Sequence, residues 1–181
     1  DKILYSEPNN QEAKLVSMVN FINNKNYDQL FSLRLDNNNE NDLFEFLFFN
    51  DDKIKSKSDI SNSFIDIVRS SYSKNDINYA QNYNFLLFYT SLSILNDNNN
   101  YEAIFIKGQL LQVINDYFFA ENTFFQIPKN SDYFQDAQRN VAFNYSKENG
   151  FDDAENKIKL IVEKNSDDYE LKKILADFYR I

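Results

Sequence analysis

The chain has 181 residues, 43% of them hydrophobic and 17% aromatic, enough to bury a sizeable core. Its 28 acidic residues against 19 basic ones leave a net charge of −9, which opposes binding to phosphate backbones, so nucleic acid is not an expected partner. The sequence holds no Cys and no His, which removes disulfides, thiol catalysis, the commonest general base and the commonest metal ligands, and the expectation is a protein without enzymatic activity, cofactor or metal.

In chain order, residues 1–10 read as a loose lead-in broken at Pro8-Asn9-Asn10. From Gln11 to about Asn23 the apolar residues Leu15, Met18, Val19 and Ile22 recur at three- and four-residue intervals, which predicts an amphipathic helix. A turn at Asn23–Asn26 leads to a second helix from Tyr27 to about Leu35, with Leu30 facing the core. After a polar turn at 36–41 comes the apolar block Leu43 to Phe49, whose length fits a strand or a helix segment; a short helix is preferred, because a lone strand would leave its backbone groups unpaired. Asn50 to Asp59, with Lys53, Lys55 and Lys57 spaced by Ser and Asp, reads as an extended, solvated linker. Ser58 or Asp59 then caps a helix from Ile60 to about Ser73 with Phe64, Ile67, Val68 and Ser71 on one face, and a helix from about Asn78 to Leu95 follows. No apolar run approaches the ~20 residues of a membrane span. The start at Asp1, without Met, reads as a cut or processed end of a longer protein.

Beyond Tyr101 the sequence repeats itself. Gly108, Ala142 and Ala176 lie 34 residues apart, and the same interval separates Ala103 from Ala137, Ala120 from Ala154, Tyr145 from Tyr179, Ile127 from Ile161 and Asn115 from Asn149. Asn occurs 28 times and Ala only 8, a composition that disfavours small residues, yet six of the 8 Ala fall in this frame. They are expected at tight helix crossings, where Ala142→Leu would overpack at a cost of about 1–3 kcal/mol while Asn144→Leu, on a less crowded face, would do little.

These residues resemble the tetratricopeptide repeat, in which helix A carries a small residue followed three positions on by an aromatic, and helix B an Ala followed four positions on by a large apolar residue. One repeat reads Ala142, Tyr145, a turn at Asn149-Gly150-Phe151, then Ala154, Ile158 and Ile161; the one before it reads Gly108, Leu111, Asn115-Asp116-Tyr117, Ala120, Phe124 and Ile127. A last half repeat has Ala176 and Tyr179. The pattern departs from the family in lacking Trp at the fourth position, where Ile104, Gln138 and Lys172 stand, and in having no Pro at the repeat end. From about Ile60 onward the chain is similar to the C-terminal part of large alphaproteobacterial proteins of this class, several of which resemble exported proteins, so cytoplasm and periplasm both stay open. The resemblance implies an all-α chain folded as a right-handed solenoid of antiparallel helix pairs. Residues 1–57 would form an irregular N-terminal repeat and linker and 58–181 the repeats proper, at about 58–98, 101–131, 135–166 and a half repeat at 168–181, in one continuous elongated domain.

In such a stack helix A lines the concave face. With Tyr101 as position 1, positions 2, 5, 9 and 12 are Glu102, Phe105, Gln109 and Gln112, then Asp136, Arg139, Phe143 and Ser146, then Glu170, Lys173, Asp177 and Arg180. Arg139, Lys173 and Arg180 are expected to stack as a basic patch flanked by Phe105 and Phe143, in a groove for a peptide with an acidic group; charged side chains covering a solvated surface is the other reading. Two functions follow from the resemblance: a non-enzymatic scaffold that binds a protein or peptide, or the docking module of a larger enzyme or envelope-assembly machine. The paired carboxylates Asp152-Asp153 and Asp167-Asp168 read as helix caps. The last helix, apolar at Ile174, Leu175, Phe178, Tyr179 and Ile181, is expected either to bury nearly all of these residues or to self-associate through the remainder.

Overall fold

The computed structural model describes residues 11–36, 46–50, 53–72, 79–147 and 150–180. The lead-in, the polar turn after Asp36 with the first part of the apolar block (37–45), residues 51–52, the connection after Tyr72, and Glu148, Asn149 and Ile181 lie outside them. The protein is helical, its helices packed in sequence as adjacent pairs, in two compact units, Asp1–Asn100 and Tyr101–Ile181.

The first unit contains α1 (Gln11–Asn23), α2 (Tyr27–Asp36), a single helical turn at 46–48, β1 (Phe49–Asn50), β2 (Lys53–Ile54), α3 (Lys57–Tyr72) and α4 (Tyr79–Asn96). The predicted face of α1 is the buried one: Leu15, Met18, Val19 and Ile22 are all in the core, with Leu30 of α2. Helix α1 ends with Lys25 at φ 57° and paired bonds from Lys25 N to Ile22 O and Asn26 N to Phe21 O, the αL cap that satisfies the last free carbonyls. It also packs on α4, where the Asn23 amide donates to Leu95 O at 3.0 Å. On that helix Tyr89 is buried among Phe64, Phe85 and Phe88, and burial, with the charge of Glu12 adding to it, holds its hydroxyl pKa above the ordinary value.

Three expectations for this unit are corrected. The short helix expected over Leu43 to Phe49 is present at 46–48, but Phe49 forms a strand with Asn50 rather than its end, because β1 pairs with β2 in an antiparallel hairpin (Phe49 opposite Ile54) and its backbone groups are satisfied. The extended linker over Asn50 to Asp59 is therefore taken up by the hairpin and the first turn of α3; Lys53 and Lys57 are exposed as expected, while the half-buried Lys55 donates to Phe46 O and to Ser63 Oγ at 3.0 Å. The cap of α3 is Ser56, neither Ser58 nor Asp59: its Oγ accepts from Asp59 N at 3.2 Å and donates to Asp59 Oδ2 at 2.6 Å, a reciprocal box that starts the helix one turn early. Where α3 crosses α4 the small residues are serines. Ser61 and Ser93, both fully buried, donate to each other's carbonyl at 3.0 Å and touch through their hydroxyls at 2.7 Å, and Asn100 closes the cluster from the loop after α4.

The second unit is α5 (Tyr101–Val113), α6 (Tyr117–Phe124), α7 (Phe134–Lys147), α8 (Phe151–Lys164) and α9 (Tyr169–Phe178). Helix α5 pairs with α6 and α7 with α8; α6 packs on α7, α8 on α9, and α7 touches both α5 and α9. The small residues sit where the 34-residue frame puts them: Ala103, Ala137, Ala120, Ala154 and Ala142 are buried, and a Cβ on Gly108 would come within 2.5 Å of the Phe124 ring. Asn115, at φ 60°, ends α5 with the same αL cap as Lys25, and Gly150, at φ 104°, opens α8 in a backbone conformation that favours glycine.

The frame recurs in contacts as well as in residue types. Tyr145 of α7 donates to Glu121 of α6 at 2.6 Å, and 34 residues on Tyr179 donates to Glu155 of α8, also at 2.6 Å. Each joins a helix to the one before it across a pair boundary. A lysine lies over each tyrosine ring, Lys157 at 4.6 Å and Lys159 at 5.9 Å. Two positions depart from expectation. Asn144 is fully buried, its Oδ1 accepting from Gln112 across the α5–α7 contact, so it occupies no uncrowded face and is no neutral control for Ala142. Ala176 is exposed, since no described helix covers the side of α9 that corresponds to the buried faces at Gly108 and Ala142. Leu171 and Phe178 are buried, Ile174 and Leu175 half-buried and Tyr179 49% exposed, so α9 does not bury nearly all its apolar residues.

The second joint is sensitive to pH. The hydrogen bond from Lys159, then that from Tyr179, hold the Glu155 carboxyl below its ordinary range, and the same carboxylate raises the Lys159 ammonium. A carboxyl depressed on folding stabilises the fold above its unfolded pKa, and that contribution is lost as pH falls through the folded value. Glu155→Gln is thus expected to lower the melting temperature most at neutral pH, with the deficit shrinking as the pH falls below the ordinary carboxyl range of about 4.3 and on through the lower folded value. Thermal melts of both proteins across this range check it; an equal deficit at both ends would mean that the charge of Glu155 is irrelevant.

Candidate functional site

The strip predicted to line a groove runs over α5, α7 and α9, which touch in that order. None of its side chains is buried. Phe105, Gln109 and Gln112 on α5 and Arg139 on α7 are half-buried, while Phe143 on α7 and Lys173 and Asp177 on α9, with Arg180 just beyond its end, are exposed.

Each predicted cation has a carboxylate partner. Arg139 bonds Asp136 one turn away at 2.6 Å and reaches forward to Asp168 with two nitrogens, Nε to Oδ1 at 3.3 Å and Nη2 to Oδ2 at 3.2 Å. The Asp168 side chain is only 4% exposed, and its Oδ1 also accepts from Leu171 N, so the residue that caps α9 is the one that fixes Arg139. Burial is the largest single influence on the guanidinium and lowers its pKa, but the hydrogen bonds and charges of Asp168 and Asp136 together outweigh it and keep the pKa raised. Lys173 lies 3.8 Å from Glu170, and Arg180 lies 3.2 Å from Asp177, both on the exposed surface. The basic patch read from the sequence is therefore a row of balanced pairs. The pairs Asp136–Arg139, Glu170–Lys173 and Asp177–Arg180 are three residues apart and stand in the sequence itself; only the second partner of Arg139, 29 residues away in a loop, is hidden from spacing.

The aromatic members divide. Phe105 is drawn into the core edge against Phe124 and Tyr133, with ring centres at 5.7 and 5.5 Å, while Phe143 stands in solvent under the Lys147 ammonium. Phe105 and Arg139 hold the same place in the frame and each contacts the loop leading to the next helix of the strip, one by ring packing and the other by charge. Of the paired carboxylates, Asp168 is a true cap, whereas Asp152 and Asp153 lie in the first turn of α8 behind Gly150, where they favour the positive helix end without capping it. Beside Arg139 an open cleft of about 510 Å³ is lined by Gln135, Lys164, Asn165, Asp168 and Tyr169. A second cleft, of about 880 Å³, lies in the first unit between the hairpin and α3, lined by Asn50, Lys53, Asp59, Asn62 and Asp66. No described helix is long and apolar enough to cross a membrane.

Compared with protein-family models, with curated proteins and with solved structures, the chain matches none of them.

Proposed function

We propose that the chain is a non-enzymatic protein-interaction scaffold of the tetratricopeptide-repeat kind, a right-handed solenoid segment that binds a peptide along the strip of α5, α7 and α9. The observation that supports this most is the unburied strip itself: three helices touch in order, and their aligned side chains are spent neither on the core nor on a catalytic constellation. Because Arg139, Lys173 and Arg180 already face carboxylates, the peptide's recognition rests on Phe143, the Gln109 amide and the exposed ion pairs of α9, which an incoming acidic group exchanges for its own. Peptides selected from a display library on the purified chain test it. Phe143→Asp and Lys173→Glu are expected to weaken the selected peptides by about tenfold each with unchanged melting temperatures. Selected peptides that bind both variants like wild type would place recognition elsewhere.

A further inference from the structure

Five large apolar side chains stand in solvent from the end of α5 to just beyond α6: Val113, Ile114, Phe118, Phe119 and Phe125, with Phe118 65% and Phe119 59% exposed. Phe118 and Phe125 are two helical turns apart and share a face, and the Phe118 and Phe119 rings touch edge to face at 5.4 Å. One 34-residue interval on, the corresponding positions are Lys147, Glu148, Asp152, Asp153 and Lys159. Of these, Lys147, Asp152, Asp153 and Lys159 are described, and all are exposed too. Helices α6 and α8 hold matching places, each tied to the next helix by the same Tyr–Glu bond, so the packing of this helix imposes no apolar residue there. A cluster of this kind, kept apolar where its counterpart is charged, marks a contact surface.

Its charge points to the occupant. Between Lys107 and Lys129 the sequence contains no Lys or Arg, its only charged residues are Asp116 and Glu121, of which Glu121 also accepts from Tyr145, and the chain as a whole carries a net charge of −9. We infer that this face docks an amphipathic segment of another protein, apolar on one side and edged with Lys or Arg. A second copy of a chain carrying a net charge of −9 is disfavoured by repulsion, and an anionic lipid surface by the same sign. The surface shares no residue with the strip on α5, α7 and α9, and the inference stands whether or not that strip binds a peptide.

The test uses the full chain and, as probe, a short labelled amphipathic helix of leucine and lysine, followed by fluorescence anisotropy beside its leucine–glutamate counterpart. Phe118→Asp/Phe119→Asp gives these positions the residues found one interval on. Wild type is expected to bind the lysine peptide at least about tenfold tighter than the double variant does, and to bind the glutamate peptide weakly. The double variant is the more acidic protein, so attraction by charge alone would leave its affinity equal or higher, and that result overturns the proposal. Phe118→Ser, which changes no charge and alters a mostly exposed side chain, must also weaken binding; if it does not, the apolar face is not the contact. A mass that rises with concentration in light scattering and is abolished by the double variant would assign the face to a second copy. Binding to vesicles of anionic lipid, lost in the same variant, would assign it to a membrane; either outcome overturns a basic protein partner.

Discussion

Phe124→Ala is expected to lower the unfolding free energy by about 3–5 kcal/mol, the range for emptying a buried phenylalanine site. The ring is fully buried, packs 5.7 Å from that of Phe105, and lies over Gly108, the one residue whose missing Cβ makes room for it. The converse change tests the same contact. Gly108→Ala would stabilise an exposed helix by about 0.5–1 kcal/mol, but here the new methyl would meet three ring carbons at 2.5 to 2.8 Å, and a fully buried ring that also packs against Phe105 has little space to retreat. Overpacking therefore wins, by about 1–3 kcal/mol net. Gly108→Ala/Phe124→Leu is expected to be more stable than the sum of its single variants predicts, because the smaller side chain leaves room for the methyl. Denaturant unfolding of the set measures all of this, and a Gly108→Ala protein more stable than wild type would show that the close approach is not there.

The second large effect is expected at Arg139. Removing it strands the Asp168 carboxylate, 4% exposed, without its counter-charge, and breaking a buried pair from one side costs about 3–5 kcal/mol. The arginine side chain is 35% exposed, so water relieves part of the loss and about 3 kcal/mol is the expected figure. The two partners are not equivalent. Asp168→Asn keeps an acceptor for Leu171 N, leaves Arg139 with Asp136, and should cost clearly less than Arg139→Ala. Equal losses would mean that stranding the Asp168 carboxylate costs nothing beyond the lost pair.

Legibility from the sequence followed the range of the interaction. Helices α1, α5 and α7 were readable because their buried faces repeat at local spacing, and the tight positions at Ala120, Ala142 and Ala154 because small residues are scarce enough in this composition to stand out. The crossing of α3 and α4 was not readable by that rule, since its small residues are Ser61 and Ser93, and serine passes for a surface residue until its hydroxyl is seen bonded to the facing carbonyl. The same holds for Asn144, polar by type and buried by its bond to Gln112, and for Lys55, one cation in an alternating run that the hairpin folds inward. The strip was legible as a set of exposed positions. Its i,i+3 ion pairs were legible too, but not the buried one, because Arg139 finds Asp168 through the fold rather than through the helix on which it lies.

The two tyrosine–glutamate bonds set a rule for how this gene can change length. Each hydroxyl meets its carboxylate only because tyrosine and glutamate are 24 residues apart in both joints, and the joints themselves are 34 apart. Since every added residue turns a helix by about 100°, losing or gaining a single codon inside α6 after Glu121, or inside α7 before Tyr145, aims the phenol away from its acceptor and breaks that joint, whereas the loop between these helices absorbs a change of length. Duplicating a whole interval instead delivers a further tyrosine to a further glutamate and leaves both existing joints intact. Tandem copying in units of the interval is thus a mutation this half of the protein tolerates, and an indel of any other size within its helices one that it does not.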